Sequence, residues 1–135
     1  MSDPSINSAI ELHDSTLASV DGENGRIEVS LKPAYLHKSA GVPGVDPGTG
    51  WVQDLVLVIE GGSIEGQLPE MPCDLSDGDL IVDERTLANV LTLPLDQSGK
   101  IILKLQVMWD GLIVIHGTRI VATLAGEPRY IEDFK

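Results

Sequence analysis

Two Trp, two Tyr and one Phe are all the aromatic side chains that a chain of 135 residues carries. A core drawn from this composition must be aliphatic, with Ile, Leu and Val supplying nearly all the buried bulk. Cysteine is as scarce, and the single Cys73 excludes an internal disulfide and fits a reducing compartment. Positive charge is also short. Nine Lys and Arg face 21 Asp and Glu, for a net charge of −12. That deficit argues against nucleic acid or an anionic membrane as the main partner, because both require a cationic footprint. No apolar run approaches the ~20 residues of a membrane-spanning helix. The opening Met1-Ser2-Asp3-Pro4 lacks the basic and apolar regions of a secretory signal. These shortages lead to the expectation of a cytoplasmic, soluble, single domain over residues 1–135, with enough apolar residues for its own core.

Helical spacing is nearly missing as well, and what stands in its place is period two. Ile27, Val29 and Leu31 alternate with polar residues from Arg26 to Lys32, the pattern of a half-buried antiparallel strand. Ile101, Leu103, Leu105, Val107 and Trp109 make a second such stripe, whereas residues 55–59 are apolar at every position. The latter suits a strand covered on both faces or lying at a subunit contact. Asp110-Gly111 and Gly61-Gly62 read as two-residue hairpins, and Gly117-Thr118 as a third turn or a bulge in one long strand. Two hairpins at Asp110-Gly111 and Gly117-Thr118 would pair Trp109 with Leu112 and Val107 with Val114. They would also put His116 on the Trp109 face. One short helix competes with an edge strand near 84–91, where Asp83 could cap and Leu87, Val90 and Leu91 share a face. The expected fold is all-β, an antiparallel sandwich or barrel of about nine or ten short strands.

Residues 39–50 hold four Gly and two Pro and read as a mobile loop. Residues 39–84 contain ten of the 21 acids and none of the nine bases. This acidic segment suits solubility, a basic protein partner, or a divalent cation bound by Asp74, Asp77, Asp79 and Asp83. The spacing of those aspartates does not match a helix–loop–helix calcium loop. His13, His37 and His116 show no zinc-ligand spacing. Acids flank Cys73 and disfavour its thiolate. His13-Asp14-Ser15 contains the letters of a catalytic triad, but neighbours on a strand point to opposite faces and cannot form the relay. Asp14 and Ser15 suit the end of a strand, and contact with a ligand or partner is the functional alternative.

The run Leu12-His13-Asp14-Ser15-Thr16-Leu17, the Trp109-Asp110-Gly111 turn and the ending Tyr130-Ile131-Glu132-Asp133-Phe134 resemble a group of small uncharacterised bacterial proteins. That group opens with an aromatic-or-Leu-His-Asp-Ser motif and has no assigned activity. The resemblance implies an immunity-type or other interaction protein and transfers no catalytic residue. The residues and the resemblance favour a non-enzymatic protein–protein interaction module without a cofactor. It would act through segment 39–84 or a sheet edge on a basic partner or a second copy of itself, in a homodimer or larger homo-oligomer. The alternative is a binding domain for a sugar or a divalent metal, with contacts among His13, Asp14, His37, Trp51, Trp109 and His116. A hydrolase with a loop-borne site comes third.

Overall fold

The computed structural model describes residues 6–43, 45–108 and 111–134. Within them lie ten strands: β1 (Asn7–Glu11), β2 (Thr16–Glu23), β3 (Arg26–Ser39), β4 (Gly48–Glu60), β5 (Ser63–Glu65), β6 (Cys73–Val82), β7 (Arg85–Ala88), β8 (Val90–Leu93), β9 (Asp96–Val107) and β10 (Leu112–Phe134). The only helical piece among the described residues is a 3-10 turn at Leu12–Asp14. All pairings are antiparallel. The order β2-β6-β9-β10-β4-β3 closes on itself through β2–β3, so six strands form a barrel, and β1 and β8 extend it beyond β3.

Alternation dictates what fills this ring. In a closed sheet every second side chain points inward, and the inward set is Leu17, Val20, Ile27, Val29, Leu31, Leu55, Leu57, Ile59, Leu75, Leu80, Ile101, Leu103, Leu105, Ile113 and Ile115. All belong to one buried cluster. The core is therefore aliphatic, as the shortage of aromatics requires. With the interior packed by side chains, ligand chemistry is left to the outer surface.

The ladders break at a few places, and each break has a cause. β1 and β2 lie one after the other along the same edge of β3, with Glu11 opposite Tyr35 and Leu17 opposite Leu31. Between them the 3-10 turn is extruded beside Lys32 and Pro33, where the β3–β4 register also shifts. Pro33 has no N–H to give a ladder, so a strand interruption belongs there. In the same way β4 and β5 run along β10 in a single register, Glu60 opposite Arg119 and Ser63 opposite His116.

Several expectations change. Gly61-Gly62 is a kink within one run along β10, since strands on both sides of it pair with β10 in the same direction. Gly117-Thr118 runs through one long strand rather than a turn, and the extra residue of the bulge beside it lies on β9, between Ser98 and Ile101. The β9–β10 register has Leu112 opposite Gln106 and Val114 opposite Lys104, so the connection spans 107–111 and is longer than two residues. Against the expected pairs this is an odd shift, and an odd shift turns every side chain to the other face. Ile113 and Ile115 consequently join Leu103 and Leu105 in the core, while Leu112 is 47% exposed. His116 goes with them to the outer side. Trp109 and Asp110 lie outside the described residues. Five strands, β3, β4, β6, β9 and β10, have ten residues or more, so short strands are only half the picture.

No helix forms at 84–91. Asp83 and Glu84 both take positive φ, 46° and 74°, in a two-residue hairpin that places Val82 opposite Arg85. Such a turn needs left-handed backbone at both central positions, and the Asp83 carboxylate secures it by accepting from the Lys100 N–H at 2.8 Å. A second tight hairpin joins β2 to β3, with Asn24 and Gly25 at φ 53° and 79° and Glu23 opposite Arg26. The Gly/Pro-rich segment is the tip of the β3–β4 hairpin. Pairing reaches Ser39 opposite Gly48, Ser39 Oγ donates to Pro47 O at 2.7 Å, and Val42 N–H donates to Asp46 Oδ2 at 2.6 Å.

Candidate functional site

The polar cluster grows from the 3-10 turn. Three residues per turn bring positions i and i+3 into line, so Glu11, which precedes the turn, and Asp14 come to the same side with His13 between them. The three side chains offer ligand-type atoms that all lie within 4.8 Å of one another. His13 Nε2 is 2.9 Å from Asp14 Oδ2 and 3.9 Å from Glu11 Oε2. The other Glu11 oxygen lies 3.3 Å from Nδ1 of buried His37. Sheet register explains that contact, because Ala9 stands opposite His37 and Glu11 opposite Tyr35 on the adjoining strand.

Three anchors hold the turn. Leu12 is fully buried and its N–H donates to Asn89 O at 2.9 Å. Ser15 Oγ donates to Glu11 O at 2.8 Å and accepts from the Tyr35 N–H at 2.9 Å. Asn89 Oδ1 accepts from the His13 N–H at 2.8 Å, while Asn89 Nδ2 sits against His13 Nδ1. The amide oxygen being taken, Nδ2 is the donor and Nδ1 the acceptor, which leaves the imidazole proton on Nε2 facing Asp14 and Glu11. Asn89 reaches this post because it connects β7 to β8 in the left-handed region, φ 63°, which Asn tolerates better than most residues.

Tyr35 joins the cluster from β3. Its hydroxyl donates to Glu132 Oε1 at 2.6 Å, and its pKa is pushed far up. Burial is the largest cause, followed by the Glu132 hydrogen bond, then by the negative charges of Glu132, Glu11 and Asp14. Tyr35 therefore keeps its proton and serves as a hydrogen-bond donor among carboxylates.

Of the candidates read from sequence, the structure brings His13, Asp14 and His37 together. His116 is elsewhere, on the outer face of β10, with Nε2 3.1 Å from Glu65 Oε2. Trp51 lies opposite Leu36 and Tyr130. Lys38 Nζ stands 4.6 Å from its ring centre, and Tyr130 packs edge-on at 5.5 Å. Asp74, Asp77, Asp79 and Asp83 are spread along β6 and its turn. Asp74 accepts from Thr16 Oγ1, Asp77 from the Gly78 N–H and Asp83 from the Lys100 N–H. The one group of three or more metal-type side chains among the described residues is Glu11, His13 and Asp14. Glu11, Tyr35, Asn89 and Glu132 were not singled out from sequence. A signal existed for Glu11, whose Glu-x-His-Asp spacing places it on the same turn.

A second feature adjoins the cluster through Glu132. The pairing of β10 with β9 ends at Val121 opposite Asp96, with one more bond from the Ala122 N–H to Leu95 O at 3.0 Å. From there β10 pairs only with β4, so among the described residues one edge of 123–134 has no neighbouring strand. Leu124, Tyr130 and Ile131 are 49%, 49% and 46% exposed along it.

No protein-family model, curated protein or solved structure matches this chain.

Proposed function

We propose that this protein is a non-enzymatic interaction module that takes an extended, basic segment of a partner protein along the free edge of β10. The observation that carries the reading is the edge of 123–134 turned away from β4, which has no neighbouring strand among the described residues and so offers ladder groups to a further strand. Charge selects the occupant. Glu127, Glu132 and Asp133 outnumber Arg129 on this arm, and the chain as a whole stands at −12, so a Lys- or Arg-bearing strand is drawn in and an acidic one repelled. Pro128 and the bulges at Ala125/Arg129 and Tyr130/Glu132 divide the edge into 123–127 and 129–134. Such interruptions discourage indiscriminate edge pairing.

The test uses the full chain with two synthetic peptides, one alternating Lys with Val and one alternating Glu with Val, read by hydrogen exchange. The expected result is protection of 123–134 by the Lys peptide alone, weakened by salt and lost in an Ile131→Lys variant. Equal binding of both peptides, or protection elsewhere, overturns the reading. If the protein sediments as a dimer that Ile131→Lys dissociates, the occupant is a second copy of the chain, not a basic partner.

A further inference from the structure

The geometry points to Glu11, His13 and Asp14 as a binding site for a divalent transition-metal ion of the zinc class. A cation holding nitrogen and oxygen ligands at about 2.0–2.1 Å sets them roughly 3–3.4 Å apart. His13 Nε2 already stands 2.9 Å from Asp14 Oδ2 and 3.9 Å from Glu11 Oε2, so closure requires only side-chain adjustment on a turn whose backbone is anchored. Partners also stand behind the ligands. His37 Nδ1 meets the Glu11 oxygen that faces away from His13, and the Asn89 amide meets Nδ1 on the far side of the His13 ring. Such outer contacts orient ligands and tune their affinity.

Charge supports the same conclusion. Glu11 and Asp14 both stand within 4 Å of His13 Nε2, and among the described residues neither forms an ion pair with Lys or Arg. Two carboxylates converging on one imidazole without an ammonium or guanidinium favour a cation between them. An imidazole with two carboxylates suits Zn²⁺, Co²⁺ or Ni²⁺ better than Mg²⁺ or Ca²⁺, which prefer all-oxygen shells. With His13 and Asp14 exposed and Glu11 half-buried, the ion has an open path, and water completes its coordination.

Ligation relocates one proton. The metal occupies the place of the Nε2 proton, and the neutral ring carries its proton on Nδ1 instead. Asn89 must then turn its amide to accept from Nδ1–H, at the expense of its bond from the His13 backbone. An aspartate at this position would accept from both donors at once, the carboxylate–histidine–metal arrangement that strengthens a ligand.

The experiment is calorimetric titration of the full chain with Zn²⁺, with Mg²⁺ as the comparison, together with Co²⁺ absorption spectra. The expected outcome is one saturable Zn²⁺ site, weak visible Co²⁺ bands without a thiolate charge-transfer band, and no change in Cys73→Ser. His13→Ala should weaken Zn²⁺ by about 100-fold or more, while Asn89→Asp should tighten it about tenfold. Circular dichroism would show both variants folded. The proposal is overturned if Zn²⁺ fails to saturate below about 1 mM, if His13→Ala binds like the parent, if Asn89→Asp leaves affinity unchanged, or if Cys73→Ser abolishes binding.

Discussion

The Tyr35 hydroxyl donates to Glu132 Oε1 across 2.6 Å and so ties β3 to the far end of β10, 97 positions away in sequence. The folded protein keeps the phenol protonated at pH values where the unfolded chain has lost that proton. Its stabilising contribution is complete below the ordinary phenol value and declines as pH rises beyond it towards the raised one. Tyr130, whose hydroxyl donates to Asp133, is also shifted upward, chiefly by that hydrogen bond. A Tyr130→Phe background therefore isolates Tyr35. Tyrosinate absorbance should appear only well above the ordinary range, and Glu132→Gln should bring it down. Ordinary titration of Tyr35 before that change would contradict the contact.

Asn89 clamps the 3-10 turn through both its backbone carbonyl and its side-chain amide. Asn89→Ala removes the side-chain bonds and leaves an unfavourable residue in the left-handed region. The expected cost is about 1–3 kcal/mol, measured as a lower denaturant midpoint. Asn89→Gly restores the backbone freedom and should lose less. Equal losses in the two variants would mean that the backbone geometry carries none of the effect.

Gly117 lies where β4 and β10 press together. A Cβ there would strike Ile59 Cγ2 and approach Glu60 O to 2.9 Å. Ile59 is fully buried, so Gly117→Ala should cost about 1–3 kcal/mol by overpacking. Gly22→Ala, whose Cβ would make only ordinary contacts with Ile27 at 3.6 Å and Ile64 at 3.9 Å, should stay within about 0.5 kcal/mol of the parent. Comparable melting temperatures for the two would contradict that close approach.

Arg119 grips Asp96 with two bonds, Nε to Oδ1 at 3.0 Å and Nη2 to Oδ2 at 2.8 Å. The guanidinium holds the Asp96 carboxyl below the usual carboxylate range. Its contribution is thus fully present above the unfolded value and is lost as pH falls through the lower folded one. Carboxyl carbon shifts followed by NMR should show Asp96 titrating below the usual carboxylate range. In Arg119→Ala it should rise, and an unmoved midpoint would dismiss the pair.

Strand content was legible because alternation at 26–32 and 101–107 leaves no other way to gather the apolar residues. Register was less so. Whether Ile113 or Leu112 faces the core depends on the length of the 107–111 connection, and Asp-Gly chemistry alone suggests a shorter one. Residues 84–91 misled for a related reason. Leu87, Val90 and Leu91 fit a helical face, yet Asn89 is the corner between β7 and β8, and tertiary pairing overrode a weak local preference. At the cluster, His13 and Asp14 stood out by adjacency. His37 joins them only through its place across from Ala9, and Tyr35 and Glu132 only because β10 continues past the barrel. Contacts of that kind are set by topology and leave no local mark.

β2 meets β6 through just two residue pairs, Thr16 opposite Asp74 and Leu17 opposite Cys73. Every other junction of the closed ring has more rungs, so thermal opening should begin at this hinge line while the remaining wall stays zipped. The chain's sole thiol sits on that line. Amide exchange along it would then gauge how often the cylinder gapes, a stopwatch for breathing motions that needs no added label.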